Sequence, residues 1–281
     1  MLDKIYLEIT NVCNLDCSFC HKTSREKKLM TGEEFERLTD RLRGKTKYLY
    51  FHLMGEPTLH PSLPEFIDRA KEKGFFPMLT TNGSTLGEKG ALLLEHLPYK
   101  ISISLHAPEA NPRFADPSYL DNCLTFAKNA SKRGCIVALR LWNLGSDVDN
   151  SDILRRLHAE FSGIWTPVRG GSSEKLAPKL FLEWGERFDW PDEAIPERDE
   201  NYELFCYALR DHAGILVDGT VVPCCLDADG NLSLGNLFES ELEDILSSPR
   251  AKAIFEGFSH RRASESFCRK CGFAKRFSKR K

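Results

Sequence analysis

The stretch Cys13-Asn14-Leu15-Asp16-Cys17-Ser18-Phe19-Cys20 places three thiols within eight residues, spaced C-x3-C-x2-C. Three thiolates this close suit an iron–sulfur cluster that keeps one iron open, because the two spacings let one loop wrap a cubane corner by corner. A structural zinc site asks for four closed ligands, so the zinc alternative needs a remote fourth ligand such as His21. Position argues for the cluster. The residues before the loop, near 4–10, read as an opening strand. The thiols therefore sit at a strand's C-terminal end, where α/β proteins place their sites.

The chain around this loop has 281 residues, 41% hydrophobic and 28% charged, enough to bury a core as one large or two modest domains. A formal charge of −2 argues against a general polyanion binder and against a disordered chain. No run of 18 apolar residues exists, and the start lacks a basic segment followed by an apolar one, so a cytoplasmic protein without membrane association is expected. In that reducing setting the 10 cysteines point to metal or redox chemistry rather than a disulfide framework.

Strands are predicted near 4–10, 47–54, 75–81, 100–106, 135–142 and 179–184, with helices between them. One helix, about 32–43, opens on the capping box Thr31–Glu34; the next carries the stripe Leu63, Phe66, Ile67, Ala70. Repeated βα units predict a parallel sheet or barrel. The strands alternate where fully buried parallel strands would be continuously apolar. Ile101, Ile103 and Leu105 oppose Ser102, Ser104 and His106, and Arg140 opposes Val137, Leu139 and Leu141. Glu8, His52, Thr80, Asn82 and Glu183 also fall opposite apolar neighbours. Unpaired buried polar groups are costly, so these faces predict a polar barrel interior. A linker with Pro191, Pro196 and many acids follows, then a hairpin over Ile215–Val222 with Asp218-Gly219 at its turn, a helical stretch at 239–257, and Cys268-x2-Cys271. This predicts a core over 1–200 and a small second module over 201–281.

Cys13-x3-Cys17-x2-Cys20 after an opening strand resembles the radical S-adenosylmethionine (SAM) superfamily. Met54-Gly55-Glu56-Pro57 is similar to the family's GGE-type motif, with Met54 in place of the first Gly, and Thr81-Asn82-Gly83 is a further shared feature. The C-terminal module resembles a SPASM/Twitch auxiliary-cluster domain through Cys206, Gly219-x4-Cys224, Leu234-Gly235-Asn236 and Cys268-x2-Cys271. The resemblance implies an α/β fold, a partial (β/α)6 barrel with a small α+β auxiliary-cluster domain. It implies one [4Fe–4S] cluster on Cys13, Cys17 and Cys20 that binds SAM, and a second on Cys206, Cys224, Cys268 and Cys271. Cys225 competes with Cys224 for the last role, and a zinc ribbon competes for the four. Cys123 and Cys135 read as core. For SAM, the resemblance implies Gly55 and Glu56 at the amino group, Arg140 at the carboxylate, Asn82 and Ser104 at ribose or carboxylate, and Phe19 near adenine. It further implies a low-potential donor such as flavodoxin or ferredoxin, and a 5′-deoxyadenosyl radical that takes hydrogen from a substrate.

The substrate is less legible. Only 12 residues precede Cys13, which leads us to expect a small nucleotide or sugar-like molecule rather than a leader-bearing peptide. The combination of Leu139–Asn143, Phe188–Pro191 and Ile215–Asp227 is similar to the queuine lyases, which implies release of queuine from queuosine 5′-phosphate. The alternatives are a Twitch-type dehydrogenase of a sugar or cyclitol alcohol, and a peptide-modifying SPASM maturase. His52, His106, Glu183, Asp227 and Asp229 are polar candidates without an assigned role. Residues 261–281 hold nine Lys and Arg against Glu265 alone. With zinc in place of iron, that tail would suit an RNA-binding module, the reading from a different class.

Overall fold

The computed structural model describes residues 2–111, 114, 116–168, 171–192 and 194–278. Five strands alternate with helices in its first half: β1 (Lys4–Leu7), α1 (Gly32–Leu42), β2 (Tyr48–Tyr50), α2 (Leu63–Glu72), β3 (Phe76–Thr81), α3 (Leu86–Glu95), β4 (Lys100–Ser104), α4 (Tyr119–Lys132), β5 (Ile136–Leu144) and α5 (Ser151–Glu160). A hairpin of β6 (Thr166–Pro167) and β7 (Ser173–Ala177) precedes β8 (Leu180–Glu186). The rest holds β9 (His212–Ile215), β10 (Thr220–Val222), β11 (Gly235–Asn236) and the helices α6 (Leu242–Leu246), α7 (Pro249–Ser259), α8 (Ser266–Lys270) and α9 (Lys275–Ser278).

β1, β2, β3, β4, β5 and β8 lie side by side, all parallel, in chain order. These are the six predicted strands of the partial barrel. Each βα crossover returns the chain to the same edge, so every strand's C-terminal end opens on one rim. The apolar faces do what their alternation predicts: Ile101, Ile103, Val137, Leu139 and Leu141 are fully buried. The Thr31 capping box is present, with Thr31 Oγ1 accepting from Glu34 N at 3.1 Å and Glu34 accepting from Thr31 N at 2.8 Å.

The C-terminal hairpin joins the sheet of the core: β9 pairs in parallel with β1 through Lys4–His212 to Leu7–Ile215, and β10 and β11 continue the same sheet. Two features differ from the sequence reading. The β6–β7 hairpin goes unpredicted because these strands are short, largely exposed and lack alternation. The helical stretch at 239–257 breaks between α6 and α7, where Ser248 caps a helix whose first residue is Pro249.

Candidate functional site

The chain leaves β1 through Glu8–Val12 and enters the thiol loop. Cys13 is exposed and Cys17 and Cys20 are half-buried. Cys20 N donates to the Cys17 carbonyl at 3.1 Å, which closes the second half of the loop. Asn111 Nδ2 donates to Cys17 Sγ at 3.0 Å, and Asn82 Nδ2 lies 3.9 Å from Cys13 Sγ. Burial pushes all three thiols above their usual pKa, and each thiolate also meets the negative charge of another in the set. Three thiolates that repel one another form a donor set that a positively charged iron core discharges.

The Gly55 turn explains where this loop sits. A Cβ at Gly55 would lie 2.2 Å from the Thr10 carbonyl oxygen and 2.9 Å from that of Val12, and Glu56 N donates to Val12 O at 2.8 Å. Gly55 is thus a close approach of two backbones. Gly55→Ala is expected to push the loop off the rim and cost at least about 2 kcal/mol, read as a lower urea midpoint with reduced iron uptake.

Glu56, next to this turn, is 2% exposed. It accepts from Thr58 N (3.0 Å), Thr58 Oγ1 (2.7 Å), Thr81 Oγ1 (2.8 Å) and Asn82 N (2.6 Å). Three of these donors meet at Oε1 and one at Oε2, so the carboxylate ties the segment after β2 to the end of β3 and keeps acceptor capacity on Oε2. Asn82 is held beside the loop, with Nδ2 donating to Asn14 Oδ1 at 3.0 Å.

A cavity of about 320 Å³ opens beside Phe19 and Cys20. The inward faces of the strands supply Tyr6, His52, Thr80, His106, Arg140 and Trp142, and the C-terminal part supplies Cys225, Leu226 and Phe273. The polar interior predicted by alternation is therefore present at His52, Thr80, His106 and Arg140. Ser104 stands outside the lining; among the described residues its hydroxyl has no hydrogen-bond partner, while its carbonyl accepts from Tyr119 at 3.0 Å. Arg140 is paired with Glu183 at 3.4 Å and stacks on Trp142 at 4.2 Å. Two buried polar atoms on this wall, His52 Nδ1 and Trp142 Nε1, have no hydrogen-bond partner among the described residues. Burial, reinforced by the Arg140 charge, pushes the His52 pKa down to about 3, so its imidazole is neutral at physiological pH. Phe19 lies against His106, with ring centroids 5.2 Å apart. Tyr6 and Trp142 are absent from the sequence reading, although the signal was available: Tyr6 shares the strand face of Glu8, and Trp142 that of Arg140.

Behind one wall lies a second cavity of about 320 Å³ lined by Cys206, Cys224, Cys225, Cys268 and Cys271. Burial, then the neighbouring thiols Cys225, Cys206, Cys268 and Cys271, raise the Cys224 pKa well above the usual value. Cys225 sits differently: burial pushes it up to about 11 while a hydrogen bond with Tyr6 opposes the rise. Tyr6, Cys225, Leu226 and Phe273 border both cavities and form the wall between them. Among the described residues, no three His, Cys, Asp or Glu meet closely enough to hold a single metal ion; the thiols ring a space. Cys123 and Cys135 are buried core, with pKa values pushed by burial up to about 12.

The remaining candidates are structural. Glu8, fully buried, accepts from Arg25 Nη2 at 2.8 Å with both oxygens, from Val217 N at 3.0 Å and from Met54 N at 3.3 Å. Asp229 accepts from Thr23 Oγ1 at 2.6 Å and Ser24 N at 2.9 Å. Asp227 accepts from Asn231 N and Leu232 N and shapes its own loop. His21 stacks on Trp190 and lies 3.7 Å from Asp229.

Comparison with known proteins gives two family matches. The model described as the radical SAM superfamily matches residues 7–152, and the SPASM model, described as an iron–sulfur cluster-binding domain, matches residues 206–272. The antilisterial bacteriocin subtilosin biosynthesis protein AlbA of Bacillus subtilis is 25% identical over 95% of this chain and 64% of its own length. The tungsten-containing aldehyde ferredoxin oxidoreductase cofactor-modifying protein of Pyrococcus furiosus is 35% identical over 30% of this chain and 25% of its own. The chain thus spans less than two thirds of these relatives. Among solved structures, BtrN in complex with AdoMet and 2-DOIA superposes with a TM-score of 0.62 at 17% identity, covering 96% of this chain and 93% of that one. Streptococcus suis SuiB gives 0.64 at 19%, covering 98% and 72%.

Proposed function

Because this chain belongs to the radical SAM superfamily and carries a SPASM iron–sulfur domain, we propose that it oxidises a small hydroxylated substrate held between its two thiol sites. Its cofactors are SAM and two [4Fe–4S] clusters. We assign the SAM-binding cluster to Cys13, Cys17 and Cys20, the auxiliary cluster to Cys206, Cys224, Cys268 and Cys271, and the boundary of the auxiliary domain to about residue 201. SAM falls to Phe19, Gly55, Glu56, Asn82, Ser104 and Arg140. When bound, these groups supply hydrogen-atom abstraction at one end of the cavity and an electron sink at the other.

The observation that carries the reading is the shared wall: the cavity touches Cys20 on one side, and only Tyr6, Cys225, Leu226 and Phe273 part it from the four-thiol site. The chain's own residues then position and shield. His52 Nδ1 and Trp142 Nε1, buried and without a hydrogen-bond partner among the described residues, match a hydroxyl, which both donates and accepts. A neutral His52 beside Arg140 orients that hydroxyl; taking up a proton would place two cations together. The aromatic lining excludes water from the reacting centre. The queuosine-cleaving reading is set aside, since the family matches and named relatives support the two alternatives instead.

The test is anaerobic reconstitution, then dithionite, SAM and a panel of sugars and cyclitols deuterated at the carbinol carbon. A ketone formed in step with deuterated 5′-deoxyadenosine is the expected result. The second reading, modification of a peptide residue, is favoured by the likeness to the bacteriocin biosynthesis protein AlbA and to SuiB, which is also solved bound to precursor peptide SuiA. Label arriving from a deuterated peptide and from no alcohol would decide for it.

A further inference from the structure

Arg140 and Arg187 line the substrate cavity, and Arg276 lines the space beside it. Arg140 is paired with Glu183 and Arg187 with Glu109 at 2.8 Å. Arg276, on α9, forms no ion pair among the described residues; its guanidinium donates one hydrogen bond among them, to the main-chain carbonyl of Glu186. Its guanidinium carbon lies over the rings of Phe273 at 4.6 Å, Phe188 at 5.3 Å and Trp142 at 5.5 Å. Aromatic faces hold a guanidinium without using up its N–H donors. Arg276 lines a vestibule of about 360 Å³ together with Arg187 and Lys275, and this space shares Glu186, Arg187 and Phe188 with the substrate cavity. The acids there, Glu186 and Asp189, are both exposed. Burial holds Arg276 below the usual guanidinium pKa, and the charges of Glu186 and Cys271 oppose the fall without cancelling it.

We propose that Arg276, assisted by Lys275, is an anion subsite at the cavity mouth, and that the substrate carries a phosphate or carboxylate group at the end remote from Cys20. This rests on the reading of the cavity as the substrate site. A guanidinium held in this way forks onto two oxygens of an oxyanion and fixes both distance and orientation. Phosphate and carboxylate share that chemistry, so the experiment carries an arm for each.

The experiment titrates reconstituted holoenzyme, with SAM present, by calorimetry. The probes are matched pairs: ribose against ribose 5-phosphate, adenosine against AMP, and glucose against glucuronate. In the wild type the anionic member of at least one pair is expected to bind at least about tenfold more tightly. Arg276→Gln is expected to erase that preference, and Arg276→Lys to keep part of it. Iron content and the near-ultraviolet spectrum report that each variant is folded and loaded. Equal or undetectable binding of both members in every pair overturns the proposal, as does an undiminished preference in Arg276→Gln. Arg276 also feels the charge of Cys271. A changed auxiliary-cluster potential in Arg276→Gln with the anion preference intact would assign the guanidinium to the cluster and overturn the subsite. Wild-type enzyme that makes no 5′-deoxyadenosine would sink the reaction proposed above without altering the binding comparison.

Discussion

Replacing Cys13, Cys17 or Cys20 singly by Ser is expected to bring 5′-deoxyadenosine formation to background and to lower iron from about eight to about four per chain. The loop gives each thiol a separate anchor: Asn82 beside Cys13, Asn111 donating to Cys17, and the Cys17–Cys20 turn. A hydroxyl at one corner keeps the loop's shape and removes a soft anionic ligand, so the loss reports ligation rather than folding. The urea midpoint of the metal-free protein is expected to stay within about 0.5 kcal/mol of wild type, which checks that distinction. In the second site, Cys224→Ser is expected to cost the other four irons. Cys225→Ser is expected to keep them, because Cys225 is engaged by Tyr6 and feels one of the other thiols, Cys271, while Cys206, Cys268 and Cys271 all act on Cys224. Full iron in all three loop variants would overturn the assignment of the first cluster.

The parts of this molecule legible in the sequence are those fixed by local periodicity. Alternation in Ile101–His106 and Val137–Trp142 is both a strand signal and a statement about two faces, so it located the strands and the polar interior together. What escaped depends on partners far away in the chain. Nothing in His212–Ile215 shows that it pairs with Lys4–Leu7, because pairing across some two hundred residues leaves no local mark. Glu56 illustrates the limit of motif reading: the motif gives the residue type, but Thr58, Thr81 and Asn82 decide how its oxygens are shared, three donors on Oε1 and one on Oε2. Arg276 is the reverse case. In sequence it belongs to a basic tail with the look of a solvated face; in the structure its guanidinium carbon lies over three rings from three segments.

Glu8→Gln is expected to destabilise the protein by about 3–5 kcal/mol, more than any surface change and in both halves at once. Glu8 lies at the end of β1, between the two parts of the chain. Its carboxylate holds Arg25, just past the thiol loop, and Val217 N in the turn after β9. Arg25 in turn donates through Nε to the Ala228 carbonyl at 2.8 Å, three residues past Cys225. One buried anion therefore sets the position of the first thiol loop relative to the segment that carries Cys224. Burial raises the Glu8 pKa and the Arg25 pair pulls it back without cancelling the rise, so the charge is held at a net cost. A folded pKa above the unfolded one means that this group favours the folded state below the unfolded carboxyl value. That contribution fades as pH rises through the folded pKa. Glu8→Gln removes the titration but strands the Arg25 guanidinium, itself only 14% exposed, without its counter-charge. Unlike protonation, the substitution also turns an NH2 group against the N–H of Met54 or Val217, donor against donor, so the loss relative to wild type is expected to persist at neutral pH. Urea unfolding at pH 5.5 and 7.5 reads this directly. A neutral or stabilising effect at pH 7.5 would show that Glu8 does not fasten the thiol loop to the C-terminal sheet.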